Sequence, residues 1–243
     1  MNAALVERAN PMFDAQQALA PRWTSVESMR IVAAYGVNDR EVAQIIGIGD
    51  ASARRRTGFK GPGAAAWLQQ LSVPIPEQPN QWAALPAGGL VARLGRTEFL
   101  VEDMQGGTTC AGLDARSILA GVYPVLRQDA ALVLTGSRTA DLLLQTCSVD
   151  FGALDASTRP VVLTSMVGVG VTVAVEPLQG ARRYRIWCDG TYGAYLWTTL
   201  VDVARDLGGG PIGLEASEPG QAGRDKEHGR PLRPWRTNRT TSC

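Results

Sequence analysis

The chain has 243 residues, of which 24 are Lys or Arg and 23 are Asp or Glu, so its formal net charge is +1. A charge this close to zero gives no overall attraction to nucleic acid or to an anionic membrane surface. No apolar run approaches the roughly 18 residues of a transmembrane helix, and the length is sufficient to bury a core as one domain or as two packed halves.

The cysteine and histidine content argues against a metal site. The chain has four cysteines, none of them in a CxxC pair, and one histidine, His228. A zinc site needs several such ligands at short spacing, so we expect none here, and we expect Cys147 and Cys188 to be small buried apolar residues. The N-terminal stretch contains Glu7 and Asp14 and lacks an apolar segment of secretory length. We therefore predict a cytoplasmic protein.

The first part of the chain has mixed patterns. Residues 1–22 predict a partly helical N-terminal arm, and residues 25–35 fit either a strand or a short helix. Residues 41–48 (EVAQIIGI) are apolar, which predicts a strand. Residues 54–56 are three arginines, and such a run is typical of a solvated surface. A site for a phosphate or for a partner carboxylate is the alternative.

A first strand–helix–hairpin unit is predicted next. Gly61 permits a tight turn after a short strand, and Pro62 suits the first position of the helix that follows. The four prolines within residues 72–87 indicate a connection, because proline lacks a backbone donor. Residues 88–102 contain two apolar runs split by a turn, which predicts a strand hairpin. Residues 106–115 then predict a loop.

A second unit begins within residues 123–151. Residues 130–135 (AALVLT) are apolar at every position but the last, which predicts a strand buried on both faces. Gly136 permits the turn, and the Ser137 hydroxyl is predicted to cap the next helix by accepting a backbone N–H. Asp141 suits the first turn of that helix, where the helix dipole favours a negative charge.

The helix of this second unit and the hairpin after it follow the same pattern as the first unit. Residues 167–187 contain two apolar runs and predict a second hairpin. Within it, Gly168 and Gly170 indicate a close backbone approach or a bulge. The buried face of the helix is predicted to consist of Ala140, Leu143 and Leu144.

The two units repeat in the same order with an offset of roughly 75 residues, as expected of duplicated halves of one domain. Gly61 then corresponds to Gly136. We predict an α+β fold with one domain over residues 23–210, built from two pseudo-repeat halves at about residues 23–105 and 116–210.

A helix and a tail complete the chain. Residues 190–207 predict a helix that ends at a run of three glycines, and its apolar stripe consists of Tyr192, Leu196, Leu200, Val203 and Leu207. Residues 211–243 are rich in proline, glycine and basic residues and cannot bury a core. This tail is interpreted as a solvated segment, as an arm that orders on an acidic partner with Trp235 as its anchor, or as a nucleic-acid-binding arm.

Catalytic motifs are absent from the sequence. It contains no G-x-S-x-G elbow, no Walker A sequence and no G-x-G-x-x-G between a strand and a helix. Four aspartates are candidates for a general base, but each lies next to an element end, where turns and caps already explain an aspartate. They are Asp50, Asp129, Asp150 and Asp189. We therefore predict no catalytic, cofactor-binding or metal-binding residue in this chain.

Several stretches resemble the gamma subunit of heterotetrameric sarcosine oxidase. They are LRQDAALVLTG, LLLQTCSVDF, LTSMVGVGVTVAV and YRIWCDGTYGAYLWTTLVDVARDLGG, all within residues 122–210. In the first half, DASARRRTGFKGPGAAAWLQQL is similar to the opening of the wider aminomethyltransferase family, which includes the folate-binding T protein of glycine cleavage. The resemblance implies the aminomethyltransferase folate-binding fold, here with extended N- and C-terminal arms.

The chain departs from this family where the family carries its chemistry. The resemblance implies a Thr-Asn-Asp motif after the first helix, but residues 72–74 are Ser-Val-Pro. It also implies paired aspartates after a Gly-Gly motif, but Gly88 and Gly89 are followed by Leu-Val-Ala-Arg at residues 90–93. Losing these carboxylates removes both proton transfer and a hydrogen-bond acceptor. The resemblance thus implies the family frame without its active site.

The function that the resemblance implies is that of a noncatalytic gamma-type subunit in a heteromeric sarcosine oxidase, or in a related N-methyl amino-acid oxidase that demethylates its substrate. Its partners would be alpha, beta and delta subunits, with no nucleic acid and no membrane. FAD, FMN, NAD, tetrahydrofolate and zinc would belong to those sister subunits. The alternatives are a stand-alone folate-dependent aminomethyltransferase-like enzyme and a nucleic-acid-binding module that uses the basic tail.

Overall fold

A computed structural model describes residues 8–178 and 181–217. The basic tail, with Trp235 and His228, lies outside the described residues. Within the described ranges the helices are α1 (Phe13–Gln17), α2 (Asp39–Ile46), α3 (Ala64–Gln70), α4 (Thr109–Asp114), α5 (Thr139–Thr146), α6 (Gly193–Asp206) and α7 (Leu214–Ser217). The strands are β1 (Arg22–Val26), β2 (Met29–Ala34), β3 (Gly47–Asp50), β4 (Arg56–Lys60), β5 (Gln81–Ala84), β6 (Gly89–Arg93), β7 (Glu98–Asp103), β8 (Tyr123–Val125), β9 (Ala130–Thr135), β10 (Val161–Met166), β11 (Val169–Leu178), β12 (Ala181–Cys188) and β13 (Gly210–Ile212).

The larger sheet has six strands in the order β10-β11-β12-β9-β3-β13. Neighbouring strands in this sheet are antiparallel, except that β13 and β3 are parallel. Strand β9 lies inside the sheet, with Leu132 opposite Ile186 on one side and Asp50 on the other. Residues 130–134 are all buried, which confirms the predicted strand with two buried faces.

The second sheet has five strands in the order β5-β6-β7-β4-β8, all antiparallel. The predicted hairpin at residues 88–102 is confirmed as β6–β7, and the one at residues 167–187 is confirmed as β11–β12 in the larger sheet. Residues 25–35 lie in a separate two-stranded hairpin, β1–β2. Its turn residues Glu27 and Ser28 both have positive φ, as a two-residue hairpin turn requires.

The two large sheets pack face to face, and helices cover their outer faces. Leu132 of β9 and Leu200 of α6 share one buried cluster, whereas Phe59 of β4 and Trp67 of α3 share another. The inner faces of the two sheets share a third cluster, which includes Leu90, Leu100, Ala131, Val133 and Trp187. The layers are therefore helix, sheet, sheet and helix. Full burial of each large apolar side chain contributes about 1.5–3 kcal/mol.

Both sheets contain the same arrangement of a strand, a helix and three further strands. The order β5-β6-β7-β4 in one sheet corresponds to β10-β11-β12-β9 in the other. Gly61 and Gly136 occupy equivalent turns, with φ of +113° and +115°. A Cβ at either glycine would lie only 2.3 or 2.4 Å from a backbone oxygen, so both turns need glycine. That the two halves arose by duplication stays a prediction.

The predicted strand at residues 41–48 is wrong, because these residues form most of helix α2 and the start of β3. Val42 and Ile46 are one helical turn apart; Val42 faces Gly210, and Ile46 is fully buried. The Asp39 carboxylate fixes the start of the helix by accepting hydrogen bonds from three backbone N–H groups, two of them just before the helix. A short apolar run fits either a strand or a helix. Here tertiary packing favours the helix.

Ser137 does not cap helix α5, contrary to the prediction. Its hydroxyl donates to the backbone oxygen of Gln44 at 3.1 Å, and the helix begins two residues later, at Thr139. The predicted apolar face is also partly wrong, since the Leu144 side chain is 64 % exposed whereas Leu142 and Leu143 are buried. The buried face of α5 consists of Thr139, Leu142, Leu143 and Thr146.

Three smaller predictions are also corrected. Pro62 lies in the turn before α3 and not in the helix, and residues 106–115 include helix α4. The register between β10 and β11 is unbroken, and a Cβ at Gly168 or Gly170 would meet nothing within 4 Å. Neither glycine therefore marks a bulge or a close approach. Gly168 and Val167 form the turn between these strands, both with positive φ.

The predicted helix at residues 190–207 is confirmed as α6, which follows a short 3₁₀ turn. Gly208 has φ of +84°, and its N–H donates to the Arg205 oxygen at 3.0 Å. The Gly209 N–H donates to the Ala204 oxygen at 2.7 Å, which completes a Schellman motif. The buried residues of α6 differ in part from the predicted stripe and are Gly193, Leu196, Trp197, Leu200, Val201 and Ala204.

Both ends of the predicted domain continue into packed structure. The predicted boundary at residue 22 coincides with the start of β1, and the boundary after residue 210 falls inside β13. Met12 and Gln16 near α1 are fully buried, and Ile212 of β13 is buried as well. The described residues on either side of the predicted boundaries therefore contribute to the core.

Candidate functional site

A cluster of buried charges lies between the two sheets. Glu102 on β7 is fully buried, and one carboxylate oxygen accepts hydrogen bonds from Arg185 at 2.8 Å and Arg54 at 3.3 Å. The other oxygen accepts from Arg56 Nη1 at 3.1 Å and from Trp187 Nε1 at 2.7 Å. Three guanidinium groups and an indole thus surround one carboxylate.

The pleat of the strands places these side chains in the interior. Glu102 is two residues beyond Leu100 on β7, so both face the opposite sheet, and Phe99 and Val101 face the helices. Arg185 on β12 likewise alternates with residues that face helix α6. Glu102 lies at a strand position whose neighbours on the same face are apolar, and an acidic residue at such a position is the sequence signal for this cluster. Glu102 was not among the predicted site residues.

Burial by itself would raise the pKa of Glu102. The positive charges of Arg185, Arg54 and Arg56, together with the Trp187 hydrogen bond, outweigh burial and hold the pKa at about 2. The carboxylate is therefore charged at neutral pH. A group with a pKa this far below neutrality is a poor general base.

A second carboxylate extends the cluster along the larger sheet. Glu176 on β11 forms ion pairs with Arg183 and Arg185 on β12, so Arg185 bridges Glu176 and Glu102. Arg56 also donates to the backbone oxygen of Asp129 at 2.8 Å. These contacts join β7, β11, β12 and the start of β4, so we interpret the cluster as a structural link between the two sheets.

The prediction of a solvated arginine surface is wrong for two of the three residues. Arg54 and Arg56 are buried, with only 5 % and 8 % of their surface exposed, because the chain enters the space between the sheets as β4 begins. Only the Arg55 side chain is substantially exposed, at 44 %, and it pairs with Asp114. The predicted alternative was a site for a partner carboxylate. In the structure Arg54 and Arg56 bind a carboxylate of the same chain, that of Glu102.

Three of the four candidate aspartates serve turns and caps. Asp50 accepts hydrogen bonds from Ser52 N and from the Asn10 and Gln16 side chains. Asp150 accepts from the backbone N–H groups two and three residues later. Asp189 caps the 3₁₀ turn through the backbone and hydroxyl of the residue two positions on. These contacts explain the three aspartates without a ligand.

Asp129 differs from the other aspartates. It lines a small cavity of about 460 Å³ with Arg127, Trp187 and Cys188, and its Oδ2 atom is buried without a hydrogen bond. Burial raises the pKa of Asp129, and Arg127 and Arg56 oppose that rise. Burial and the nearby Asp129 raise the pKa of the Cys188 thiol to about 11. This thiol is therefore protonated at neutral pH and is a weak nucleophile.

The described cysteines are buried in the core. Cys147 and Cys188 are 9 % and 4 % exposed, as predicted for small apolar residues, and Cys110 is fully buried. Across residues 8–178 and 181–217, no group of three or more His, Cys, Asp and Glu side chains is arranged to hold a metal ion. None of the helices in this part of the chain combines the length and apolar character needed to cross a membrane.

A cleft of about 840 Å³ lies beside the turn from β9 to α5. Helix α2, strand β12 and helix α7 form its other walls. Its polar lining includes Arg40, Ser137, Thr139, Arg182, Tyr184 and Glu215. Except for Ser137, the sequence analysis singled out none of these residues, because they come from four separate elements.

No protein-family model matches the chain, and a search of curated proteins found no relative. Several solved structures share its architecture, among them the following two. The glycine cleavage system aminomethyltransferase T from Bartonella henselae aligns with a TM-score of 0.65 at 15 % identity, over 88 % of this chain and 61 % of that one. The present chain thus spans about three fifths of that protein's length.

A chain of the heterotetrameric sarcosine oxidase from Corynebacterium sp. U-96, in complex with pyrrole 2-carboxylate, aligns with a TM-score of 0.55 at 19 % identity. The alignment covers 69 % of this chain and 90 % of that one, so the matched chain is the shorter of the two. The chain has an aminomethyltransferase-like fold. These similarities establish the predicted α+β fold, and the assignment to a gamma subunit stays a prediction.

Proposed function

We propose that this aminomethyltransferase-like chain is a noncatalytic, gamma-type subunit of a heteromeric sarcosine oxidase or of a related N-methyl amino-acid oxidase. The supporting observation is the alignment with a chain of heterotetrameric sarcosine oxidase, which covers 90 % of that shorter chain. An alignment of this extent accounts for nearly a whole subunit and not for one domain of a large one.

The interior supports a noncatalytic role. Pro74 stands where the resemblance implies a catalytic aspartate, and Leu90, Val91 and Ala92 stand where it implies paired aspartates. In the structure these last three residues are fully buried apolar side chains of β6. The fully buried carboxylate Glu102 has its pKa held at about 2 by arginines. Proton transfer near neutral pH requires a group with a pKa close to the pH.

The surface supports association with a partner. Leu126 is 81 % exposed, and the nearby Leu119 and Tyr123 are 50 % and 56 % exposed. Among the described residues, strand β8 in this segment is an edge strand that pairs with β4 alone. Apolar side chains grouped beside an open sheet edge are typical of surfaces covered by another chain.

In this proposal the partners are the alpha, beta and delta subunits of the complex, and the complex is cytoplasmic. FAD, FMN, NAD, tetrahydrofolate and zinc belong to those sister subunits. The chain contributes packing surface and stabilises the flavin- and folate-bearing subunits.

The test is a pull-down of the tagged full-length chain from its native cells under mild conditions, followed by mass spectrometry and an absorbance scan. We expect a yellow eluate with a flavin spectrum and co-purifying larger chains. Leu126→Asp should reduce the recovered partners, whereas Val37→Asp, at a fully exposed apolar residue elsewhere, should not. A colourless monomer, or turnover of an N-methylated amine by the isolated chain, contradicts the proposal.

A second candidate is a stand-alone folate-dependent aminomethyltransferase-like enzyme. It is favoured by the higher TM-score with aminomethyltransferase T, 0.65 over 88 % of this chain. Equilibrium binding of tetrahydrofolate to the purified chain separates the two candidates. Tight stoichiometric binding supports the enzyme, and its absence together with partner recovery supports the subunit.

A further inference from the structure

The cleft of about 840 Å³ beside the β9–α5 turn has the size of a small-molecule site. Leu178, Ala43 and Ala181 give it apolar walls, and charged side chains enter it from α2, β12 and α7. It lies on the outer side of the larger sheet, away from the Glu102 cluster between the sheets. Apart from Arg183, which pairs with Glu176, its lining residues take no part in that cluster.

The charges that line this cleft are not balanced. Glu215 pairs with Arg22 at 2.7 Å, and Arg183 pairs with Glu176. Within the described part of the chain, neither Arg40 nor Arg182 forms an ion pair with a carboxylate. The Arg40 and Arg182 guanidinium groups thus line the cleft without an ion-paired carboxylate, and Arg182 also donates to the backbone oxygen of Phe151. Guanidinium groups bind carboxylates and phosphates through paired hydrogen bonds.

The cleft also has a neutral donor, the Tyr184 hydroxyl. The Tyr184 side chain is buried, and burial raises the pKa of its hydroxyl, so it stays protonated and able to donate. The Ser137 and Thr139 hydroxyls at the start of helix α5 already donate to the backbone oxygens of Gln44 and Gly136, but the helix dipole there also favours a negative charge.

We propose that this cleft binds a small organic anion. Its phosphate or carboxylate group lies between Arg40 and Arg182, and its apolar part packs against Leu178 and Ala43. The ligand is held without a reaction at this site. The inference does not depend on the proposed function, because it concerns only this chain's own cleft.

The test is isothermal titration of the full-length chain at low salt with phenyl phosphate and with benzoate, two organic anions that carry the two candidate acid groups. We expect saturable one-to-one binding of at least one of them. Phenol and inorganic phosphate, which each lack one half of the ligand, should bind more weakly. Which of the two organic anions binds more tightly distinguishes a phosphate ligand from a carboxylate ligand.

Variants assign the binding to the cleft. Arg40→Gln removes an exposed side chain with no hydrogen bond within the described residues, and it should weaken binding at least about tenfold. Leu178→Asp should weaken binding through charge repulsion. It is a second, independent test of the cleft if Arg40→Gln does not fold. Arg116→Gln, an exposed arginine outside the cleft, is the matched control and should leave the affinity unchanged.

Three outcomes overturn the proposal. They are no saturable binding of either organic anion, equal affinity for phenyl phosphate and inorganic phosphate, and an affinity that Arg40→Gln and Leu178→Asp leave unchanged. None of these bears on partner recovery in the pull-down, so failure of this inference and failure of the proposed function are distinguishable.

Discussion

Replacing Glu102 with glutamine tests the buried charge cluster directly. The substitution keeps the size of the side chain and removes the carboxylate that Arg54, Arg56 and Arg185 share. Removing one partner of a buried ion pair costs about 3–5 kcal/mol, because the remaining charges stay buried. The pKa of Glu102 agrees with this range, since lowering it from 4.5 to about 2 corresponds to about 3 kcal/mol at 1.36 kcal/mol per pKa unit.

The assay is urea denaturation at pH 7, followed by tryptophan fluorescence, together with thermal unfolding. We expect Glu102→Gln to lower the free energy of unfolding by about 3 kcal/mol or more. For a chain of this length the same loss lowers the melting temperature by roughly 6–12 °C. Trp187 donates a hydrogen bond to Glu102, so its emission reports on the site itself.

The pH dependence supplies an independent check. The pKa of Glu102 is lower in the folded chain than in the unfolded chain, so the folded state holds this stabilisation fully above pH 4.5. The stabilisation is lost as the pH falls from 4.5 to about 2. The difference in stability between wild type and Glu102→Gln should therefore be constant above this window and shrink within it.

Glu98→Gln is the matched control, because Glu98 also lies on β7 and pairs with Arg127 at 2.8 Å. Its side chain is 42 % exposed, so we expect the loss of this pair to cost less than about 1 kcal/mol. If Glu102→Gln costs no more than Glu98→Gln, the reasoning about the buried cluster is wrong.

Three further predictions concern the turns, the core and the thiols. Gly136→Ala should lower the free energy of unfolding in urea by more than about 1 kcal/mol, because Gly136 has φ of +115° and a Cβ would lie 2.4 Å from a backbone oxygen. Gly170→Ala is the control and should cause no such loss, because a Cβ there meets nothing within 4 Å. Equal losses would contradict the turn geometry. Leu132→Ala should cost about 2–5 kcal/mol by leaving a cavity in β9, whereas Leu144→Ala on the exposed face of α5 should change stability by less than about 0.5 kcal/mol. The Cys188 thiol, with a pKa of about 11, should resist iodoacetamide at pH 8 until urea unfolds the chain, as peptide mass spectrometry would show; rapid labelling of the folded chain would refute its burial.

Local sequence patterns determined much of the secondary structure. Residues 130–135 form a strand because a short apolar run bounded by a glycine turn fits a position with both faces buried. Gly61 and Gly136 identified two equivalent turns, because only glycine adopts their positive φ without strain. The departures at residues 72–74 and 90–93 likewise follow from residue identity alone.

Other elements depended on their surroundings. Residues 41–48 are short and apolar, and such a run fits a strand or a helix equally well until its neighbours are known. Packing of Ile46 into the core and three hydrogen bonds to Asp39 decided for a helix. The same holds for Leu144, because the sequence placed the start of helix α5 one residue too early and so assigned the wrong face to the sheet.

The charged interior and the cleft were decided by tertiary structure alone. Arg54, Arg56 and Arg185 lie 48, 46 and 83 residues from Glu102 along the chain. The period of a strand tells which side of its own sheet a residue faces, but it carries no information on which sheet lies opposite. For that reason the sequence by itself determined strand β9, the two predicted hairpins, the two glycine turns and the absence of a carboxylate at residues 72–74 and 90–93. Only the packing of one sheet on the other brought three arginines to one glutamate, and only the meeting of α2, β12 and the β9–α5 turn opened a cationic cleft.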